Sequence, residues 1–391
     1  MVLFFEILFW LSIVAILISY LFYPLLLKIL SKNKKLNTNL YSNNEELPFV
    51  SILISAFNEE DVIEKKIDSI FNSQYPNNKF EVLIGSDAST DNTNNILEKL
   101  SKKYNSLYYF NLEDRQGKGN IINKLEVKSK GEILIITDAN IIFSEDVIFN
   151  LIRHFKNTDI GLVDSQIINT GLDKSGISIQ EKSYISREAK IKSKESITWG
   201  SMMGPFGGCY AVRKNLYEKI PPTYLVDDFF INMIVLDKNH KAINDLEAIV
   251  FEDVSNDLYI EFKRKIRIAT GNFQNLFHFI HLLWPPYKGI AISFLSHKVL
   301  RWFGPFFILI IFLCNLLLLS NPFYYYFFIF QCFIAFLALF DFFMRKIGIH
   351  ILFLRFITHF LSMNLAMLIG FFRFIIGVKS NVWQPTKRNQ G

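Results

Sequence analysis

The N-terminal part of the chain contains a run of 21 residues without a charge, from Ile7 to Leu27. A helix needs about 20 consecutive apolar residues to cross a bilayer, so this run predicts a transmembrane anchor over residues 1–30. A cleaved signal peptide is the alternative, but Glu6 stands where a basic stretch should precede the apolar run, and no small-residue cleavage site follows it. Lys28 begins a lysine-rich stretch, which marks the cytoplasmic end of a span.

The C-terminal part of the chain is apolar again. Segments 304–320 and 323–340 carry no charge, and an Asn-Pro turn signal separates them. Residues 347–378 are also apolar but include Arg355 and Arg373, so they predict either one tilted span or a broken pair of shorter segments. Three spans after a cytoplasmic domain would leave the C-terminal Lys-Arg pair outside, against the positive-inside rule. One of these segments is therefore a candidate for a re-entrant or interfacial segment.

The composition agrees with a membrane protein. Hydrophobic residues make up 51% of the chain and 40 residues are Phe, which is too apolar for an ordinary soluble domain. The net charge of +6 comes from basic residues beside the apolar runs, so it indicates contact with membrane lipids and no nucleic-acid partner. The three cysteines have no metal-ligand spacing and predict no disulfide framework.

The middle of the chain alternates short apolar strands with amphipathic helices. Strands are predicted at 49–54, 80–84, 107–110 and 133–136. Such alternation is typical of a doubly wound, mostly parallel α/β sheet. Ser89 or Thr90 is predicted to cap the helix that follows the second strand.

Polar residues follow three of these four strands, at the sheet edge where open α/β folds bind ligands. The fourth strand runs into Asp138, with Asn140 two residues further on. Carboxylate and amide oxygens are hard ligands of the kind that Mg²⁺ or Mn²⁺ prefers when it also holds a diphosphate. Asp138 and Asn140 are therefore the candidate metal ligands. A plain polar exit from the strand is the alternative.

Two adjacent carboxylates, Asp227 and Asp228, open a helix rich in Phe, Ile and Met. Asp228 is the candidate general base, because a carboxylate near the reacting hydroxyl can take its proton in the transition state. Repulsion between neighbouring carboxylates can raise the pKa of one of them toward neutral pH. The plainer interpretation is that the pair caps the helix.

Basic and glycine-rich elements are the candidates for holding a substrate. Lys118 lies between two glycines, where it can approach a diphosphate closely, and Arg264 and Arg267 stand three apart, on one face of a helix. Gly207 and Gly208 let the backbone approach a sugar. The plainer interpretations are, respectively, a basic turn, anchoring to lipid headgroups, and a tight packing turn.

Taken in order, these motifs resemble glycosyltransferase family 2, in its membrane-bound branch beside the cellulose, chitin and hyaluronan synthases. The resemblance covers about residues 49–271 and implies a GT-A fold. The residues that it implies for substrate binding are Ser55, Phe57, Asn58, Glu59, Asp87, Ser89, Lys118, Gly207, Gly208, Arg264 and Arg267. It also implies that Asp138 and Asn140 hold the metal and that Asp228, beside Asp227, is the catalytic base. No single motif is specific, but so many in the correct order are.

Two departures from the family pattern affect the expected function. Asn140 replaces the second aspartate of the metal motif, which lowers the charge of the site, although an amide oxygen can still coordinate. Arg264 replaces a glutamine, and Ile268 replaces the tryptophan that in processive synthases stacks on the acceptor sugar. The second departure argues against processive polymerisation.

The resemblance therefore implies a multi-pass cell-membrane enzyme with a cytoplasmic catalytic domain. It would move a sugar from a nucleotide-sugar donor, predicted to be UDP-linked, to a saccharide or lipid-linked acceptor, using Mg²⁺ or Mn²⁺. The predicted segments are an anchor (1–30), a linker (31–46), the catalytic domain (47–271), an interfacial amphipathic segment (272–302), a transmembrane cluster (303–379) and a basic tail (380–391).

Three alternatives remain open at this point. A processive synthase would also secrete its polymer. A transporter with an α/β regulatory domain would use the charges at Arg355 and Arg373, which need partners inside a membrane. A catalytically silent scaffold would keep the fold and lose the chemistry of Asp228.

Overall fold

The structure is a computed structural model, and it describes residues 1–42, 44–170, 178–253, 258–349 and 351–382. The strands are β1 (Val50–Ala56), β2 (Phe80–Asp87), β3 (Leu107–Leu112), β4 (Ile133–Asp138), β5 (Ile142–Phe143), β6 (Ile160–Thr170), β7 (Cys209–Arg213) and β8 (Lys241–Asp253). The helices are α1 (Val2–Leu17), α2 (Tyr23–Leu30), α3 (Ile63–Phe71), α4 (Thr93–Lys103), α5 (Lys118–Lys128), α6 (Val147–Ile152), α7 (Ser178–Trp199), α8 (Asp227–Asp237), α9 (Leu258–His278), α10 (Gly289–Ser293), α11 (Leu300–Trp302), α12 (Gly304–Leu317), α13 (Pro322–Lys346) and α14 (Leu352–Ile376).

By packing, the chain divides into two compact units. The sheet unit comprises Leu30–Leu172, Ile185–Ser255 and Val378–Gly391, and the helical unit comprises Met1–Ile29, Asp173–Tyr184 and Asn256–Gly377. The domain boundaries of the sequence analysis stay a prediction. Of the predicted basic tail, residues 383–391 lie outside the described residues.

The sheet unit is built on one eight-stranded sheet, in the order β3-β2-β1-β4-β7-β6-β8-β5. The first four strands are parallel, as predicted, and β7 runs antiparallel to both β4 and β6. These parallel strands consist largely of buried β-branched and aliphatic residues, because helices cover both faces of such a sheet. The prediction of a mostly parallel α/β fold is confirmed.

The amphipathic helices lie where their apolar faces can be buried. In α3, Ile63, Ile67 and Ile70 recur at helical spacing and are fully buried in the core against the sheet. Helix α5 buries Ile121 and Ile122, and it starts immediately after Gly117, whose φ of +83° favours glycine. The short link from β3 to α5 therefore holds the start of α5 in a fixed place.

Among its described residues, the helical unit contains three stretches long and apolar enough to cross a membrane: Val2–Leu30, Pro322–Lys346 and Leu352–Ile376. A fourth stretch consists of Gly289–Trp302 and Gly304–Leu317, which are bent by 59° at the break between them. A bend of that kind is typical of a broken span or a re-entrant segment, and the charge count had made one of the C-terminal segments a candidate for a re-entrant or interfacial segment. The last apolar stretch forms one helix, and not a broken pair.

Several charged side chains of the helical unit lie beside partners of opposite charge. Arg355 of α14 faces Asp341 of α13, with 3.6 Å between Nε and Oδ1. Nε2 of His359 lies 2.8 Å from Oε1 of Glu181, and Lys265 of α9 also contacts Glu181. Pairing of this kind reduces the cost of placing charge in an apolar environment.

Candidate active site

The ends of the parallel strands gather the candidate residues at one edge of the sheet. Ser55 at the end of β1 pairs in register with Asp138 at the end of β4, and the neighbouring Ala56 pairs with Ser86 of β2. Because parallel strands place their carboxyl ends at the same edge, loops far apart in sequence meet there. The candidate site lies at this edge.

The loops after β1 and β2 are joined by hydrogen bonds. The N–H of Asn58, a residue with a φ of +52°, donates to Oγ of Ser89 at 3.2 Å, and the N–H of Thr90 donates to Oδ1 of Asn58 at 2.8 Å. Neither Ser89 nor Thr90 caps the next helix, so that prediction was wrong: the N–H of Thr93 instead donates to Asp91. The predicted roles of Asn58 and Ser89 in substrate binding stay predictions, and their polar groups also link the two loops.

The carboxylate at the end of β2, that of Asp87, is buried and accepts three hydrogen bonds. The donors are the N–H groups of Gln116 (2.6 Å) and Gly117 (3.0 Å) and Nε of Arg115 (3.2 Å). The guanidinium of Arg115 in turn lies 3.3 Å from the ring centroid of Phe57. Asp87 thus fixes the turn that precedes α5. Arg115 was not predicted, although its position two residues before Gly117 in the basic turn was a signal.

Lys118, the first residue of α5, connects the carboxylates of the site. Its Nζ lies 2.7 Å from Oδ1 of Asp138 and 3.6 Å from Oδ2 of Asp227, and it donates to the carbonyl of Gly207 at 3.4 Å. Burial disfavours the charge of the ammonium, but the nearby carboxylates outweigh it and raise the pKa of Lys118 above its usual range. The structure therefore brings together Asp138, Asp227 and Lys118, which lie far apart in sequence.

Asp228 lies at the start of α8, next to Asp227. Burial, followed by repulsion from Asp227, raises the pKa of Asp228 to about 7, although Lys118 and the N–H of Phe229 oppose the shift. A carboxyl with that pKa is ionised in part at neutral pH and can accept a proton under physiological conditions. The plainer interpretation is not borne out: Val226 is the N-cap residue of α8 without a side-chain cap hydrogen bond, and Asp228 lies inside the first turn, where it accepts the N–H of the next residue, Phe229, at 2.8 Å.

Gly207 leaves the room that Asp228 occupies. It has a φ of +83°, and a Cβ added there would lie 2.6 Å from Oδ2 of Asp228. The neighbouring carbonyl of Gly208 accepts the N–H of Asp138 at 3.0 Å, so the same loop also holds the end of β4. These two glycines link the two acidic parts of the site through the backbone.

Replacing Gly207 with Ala is expected to damage activity more than stability alone explains, because the added Cβ displaces the Asp228 carboxylate. Gly348→Ala is the matched control, since Gly348 has a φ of +78° but no heavy atom within 4 Å of its added Cβ. Both changes should cost roughly 1 kcal/mol of backbone strain, measurable by denaturant unfolding. Only Gly207→Ala should also lower kcat; equal kcat values in the two variants would contradict this reading.

A buried lysine supports the site from the other side of β4. Nζ of Lys66, on α3, donates to Oγ1 of Thr137 at 3.0 Å, and that hydroxyl donates to the carbonyl of Gly208 at 2.9 Å. Burial lowers the pKa of the Lys66 ammonium to about 7. Lys66 was not predicted. Its signal was a charge on the same helical face as Ile63, Ile67 and Ile70.

A divalent ion fits this site only if the protein and the substrate both supply its ligands. Within the described residues, no group of three or more His, Cys, Asp or Glu side chains is placed to hold a metal. The side chain of Asp138 is 35% exposed, and Asn140 is buried with an amide nitrogen that has no hydrogen-bond partner. Mg²⁺ is commonly held by one or two carboxylates together with substrate phosphates, and Asp138 with the amide of Asn140 suits that arrangement.

The remaining predicted residues have the following places. Glu59 lies in the first loop, where its N–H donates to Oγ1 of Thr93 at 2.9 Å. Arg264 and Arg267 lie on α9, in the helical unit, and Nη1 of Arg264 is 3.3 Å from Glu261. Their role in phosphate binding stays a prediction.

Comparisons with known proteins agree with this geometry. Residues 51–220 match the family described as glycosyl transferase family 2. A beta-monoglucosyldiacylglycerol synthase from Nostoc sp. is 37% identical over 119 residues, which is 30% of this chain and 25% of the relative. The match thus spans only a quarter of that relative's length. A poly-beta-1,6-N-acetyl-D-glucosamine synthase from Staphylococcus epidermidis is 25% identical over 294 residues, 70% of this chain and 68% of the relative.

A solved structure shows the same fold over nearly the whole chain. The mannosyltransferase PcManGT from Pyrobaculum calidifontis, in complex with GDP-Man and Mn²⁺, matches with a TM-score of 0.71 and 19% identity, covering 94% of this chain and 99% of that one. At this identity the likeness speaks for the fold alone. The family match, together with the parallel sheet and the carboxylates at its edge, leads to one identification: the chain contains a glycosyltransferase family 2 domain with a GT-A fold.

Proposed function

We propose that the protein is a membrane-anchored inverting glycosyltransferase. It moves a sugar from a nucleotide-sugar donor to a saccharide or lipid-linked acceptor, in the synthesis of cell-envelope polysaccharide or glycolipid. The observation that carries the proposal is the half-buried Asp228, next to Asp227 and beside the Lys118–Asp138 pair, with a pKa raised to about 7. The named relatives support it, since one makes a glycolipid and the other a polysaccharide.

In this mechanism each group of the site has one task. Asp228 takes the proton of the acceptor hydroxyl as that oxygen attacks the anomeric carbon. Asp227 keeps the pKa of Asp228 high enough for this exchange near neutral pH. Lys118 supplies a positive charge to the leaving nucleoside diphosphate. A divalent ion bound at Asp138 and Asn140 supplies further positive charge there.

The donor is proposed to be a nucleoside diphosphate sugar. The resemblance to family 2 favours a uridine nucleotide, whereas the structurally similar mannosyltransferase is a complex with GDP-Man. The base of the nucleotide is proposed to lie at the ends of β1 and β2, where Arg115 contacts both Asp87 and Phe57. Both UDP- and GDP-sugars therefore belong in a test of the donor.

The acceptor is proposed to be reached at the membrane. The part of the chain that the structure describes has three helices, or up to four with the bent pair, that are long and apolar enough to span a bilayer. The lysines after Leu27 favour a cytoplasmic catalytic domain in a multi-pass protein of the cell membrane. Membrane lipids are then immediate partners of the enzyme.

The function is tested by a donor panel with the full-length protein in nanodiscs made from membrane lipids. UDP- and GDP-sugars are supplied with Mg²⁺, with Mn²⁺ or with EDTA, and release of the nucleoside diphosphate is measured. We expect release with one donor class, and its loss with EDTA. Absence of release with every donor, while a known glycosyltransferase in the same nanodiscs is active, would contradict the proposal.

A processive synthase is the second candidate, and the similarity to a poly-beta-1,6-N-acetyl-D-glucosamine synthase favours it. Ile268 at the position of the acceptor-stacking tryptophan argues against it. The length of the product separates the two: a single added sugar supports simple transfer, and a polymer supports the synthase.

A further inference from the structure

The ammonium of Lys118 lies beside the carboxylate of Asp138, at a place that would otherwise be open to a metal cation. Its ammonium is 2.7 Å from Oδ1 of Asp138, and its side chain is only 19% exposed. The same ammonium is 3.6 Å from Asp227 and 3.4 Å from the carbonyl of Gly207. It therefore contacts three oxygen-bearing groups, in the way that a bound cation does.

The backbone holds Lys118 in this position. Gly117 precedes it with a φ of +83°, and the N–H of Gly117 donates to the buried carboxylate of Asp87 at 3.0 Å. The space next to Gly117 is filled by the buried side chain of Asn381. Because the backbone of Lys118 is fixed, only a change in its flexible aliphatic side chain can move the ammonium away from Asp138.

A divalent ion and this ammonium compete for the same carboxylate. Both are cations, and Asp138 is the one carboxylate of the predicted metal pair, since its partner Asn140 is neutral. A diphosphate changes the balance, because its oxygens complete the coordination of the ion and also accept hydrogen bonds from a displaced ammonium.

We propose that Lys118 is the built-in counter-cation of Asp138, which a divalent metal must displace, so that metal binding and diphosphate binding are coupled through this side chain. The inference rests on the proposed function, and it adds the order of events at the site. The metal binds weakly to the enzyme alone. It binds tightly once the oxygens of a nucleoside diphosphate accept the hydrogen bonds of the displaced Lys118 ammonium. Coupling of this kind is reciprocal, so the metal also tightens nucleotide binding by the same factor.

The test is the affinity of the full-length protein for Mn²⁺, measured by electron paramagnetic resonance of free Mn²⁺, with and without GDP or UDP in separate arms. For Lys118→Gln we expect Mn²⁺ alone to bind about tenfold more tightly than to the wild type. The gain from adding the nucleoside diphosphate should shrink by a similar factor. Lys118→Arg keeps the charge and should behave as the wild type.

Lys124→Gln is the matched control, because it removes an exposed lysine from the same helix and should change neither affinity. Equal Mn²⁺ affinities in the wild type and Lys118→Gln, with nucleotide-dependent Mn²⁺ binding in both, would overturn the inference and leave the proposed function intact. Absence of Mn²⁺ binding in every variant, even with the nucleotide, would remove the metal from the proposed function and this inference with it. Circular dichroism verifies that each variant is folded.

Discussion

Asp228→Asn is expected to lower kcat by about 100- to 10,000-fold, the range that a general base contributes to a reaction. The amide has nearly the shape of the carboxylate but cannot take a proton from the acceptor hydroxyl. Nucleoside diphosphate binding should remain, since the change touches the acceptor side of the chemistry. Rates are measured as nucleoside diphosphate release at saturating donor, and binding by calorimetry.

The matched control for this change is Asp237→Asn, at the exposed end of the same helix. It removes the same charge from α8 (Asp227–Asp237) and should leave kcat within about twofold, because it lies at the opposite end of the helix from Asp228. A loss in Asp228→Asn no larger than in this control would remove Asp228 as the base and leave it as a carboxylate in the first turn of α8.

The pH dependence of the wild-type enzyme follows from the raised pKa of Asp228. Only the ionised carboxylate accepts a proton, so kcat should fall as the pH drops through about 7. Asp227 is the second-largest cause of the shift after burial. Asp227→Asn should therefore move this fall in kcat to lower pH. A fall that stays at the same pH would contradict the assignment.

The same shift has a consequence for stability with a definite sign. A carboxyl whose pKa is raised on folding stabilises the protein below its unfolded pKa, near 4, and loses that contribution as the pH rises through its folded value of about 7. Asp228→Asn, which never ionises, should therefore unfold at a higher temperature than the wild type at pH 8. Near pH 4 the two melting temperatures should agree.

Asp138→Asn is expected to reduce activity by about 1,000-fold, at the upper end of what removal of one electrostatic group from an active site costs. Asp138 is partly exposed at the end of β4 (Ile133–Asp138), whereas Asn140 is buried. The carboxylate should therefore be the indispensable ligand and the amide the helper. Activity is measured over a range of Mn²⁺ concentrations, because a weakened site shows a shifted metal dependence.

Asn140→Asp is the companion variant. We expect it to be tolerated when Mn²⁺ is saturating, because the added carboxylate restores the charge that the family motif normally carries. Without metal it should unfold at a lower temperature, since it adds a buried charge beside Asp138. If Asn140→Asp proves as damaging to activity as Asp138→Asn, the division of labour between the two residues is wrong.

The four parallel strands β1–β4 of the sheet unit were predictable because their signals are local, whereas β5, β6 and β8 were not predicted. Continuous apolar runs such as Ile133 to Ile136 are typical of strands inside a sheet that is covered on both faces, where every side chain is buried. The acidic residues at the strand ends were predictable for the same reason, since a charge that directly follows a buried strand has to lie at its edge. The cap of α4 (Thr93–Lys103) was mispredicted, because several side chains near a helix start can compete for the same N–H groups.

The supporting residues were not predictable because their partners are remote in sequence. Lys66 contacts Thr137, which lies 71 positions further along the chain, and Asn381 fills the space beside Gly117. A lysine on an apolar helical face does not name its partner, and an asparagine in a polar tail has no distinguishing pattern. Arg115 is intermediate, since its place in the basic turn was visible but its contacts with Asp87 and Phe57 were not.

The sequence by itself determined the apolar helices at both ends, the parallel α/β sheet between them and the ordered acidic motifs at the strand ends, because each depends on the pattern of neighbouring residues. Only the tertiary structure decided that the ammonium of Lys118 lies between Asp138 and Asp227 and that burial raises the pKa of Asp228 to about 7. Distances and burial depend on how remote segments pack, and electrostatic effects depend on both.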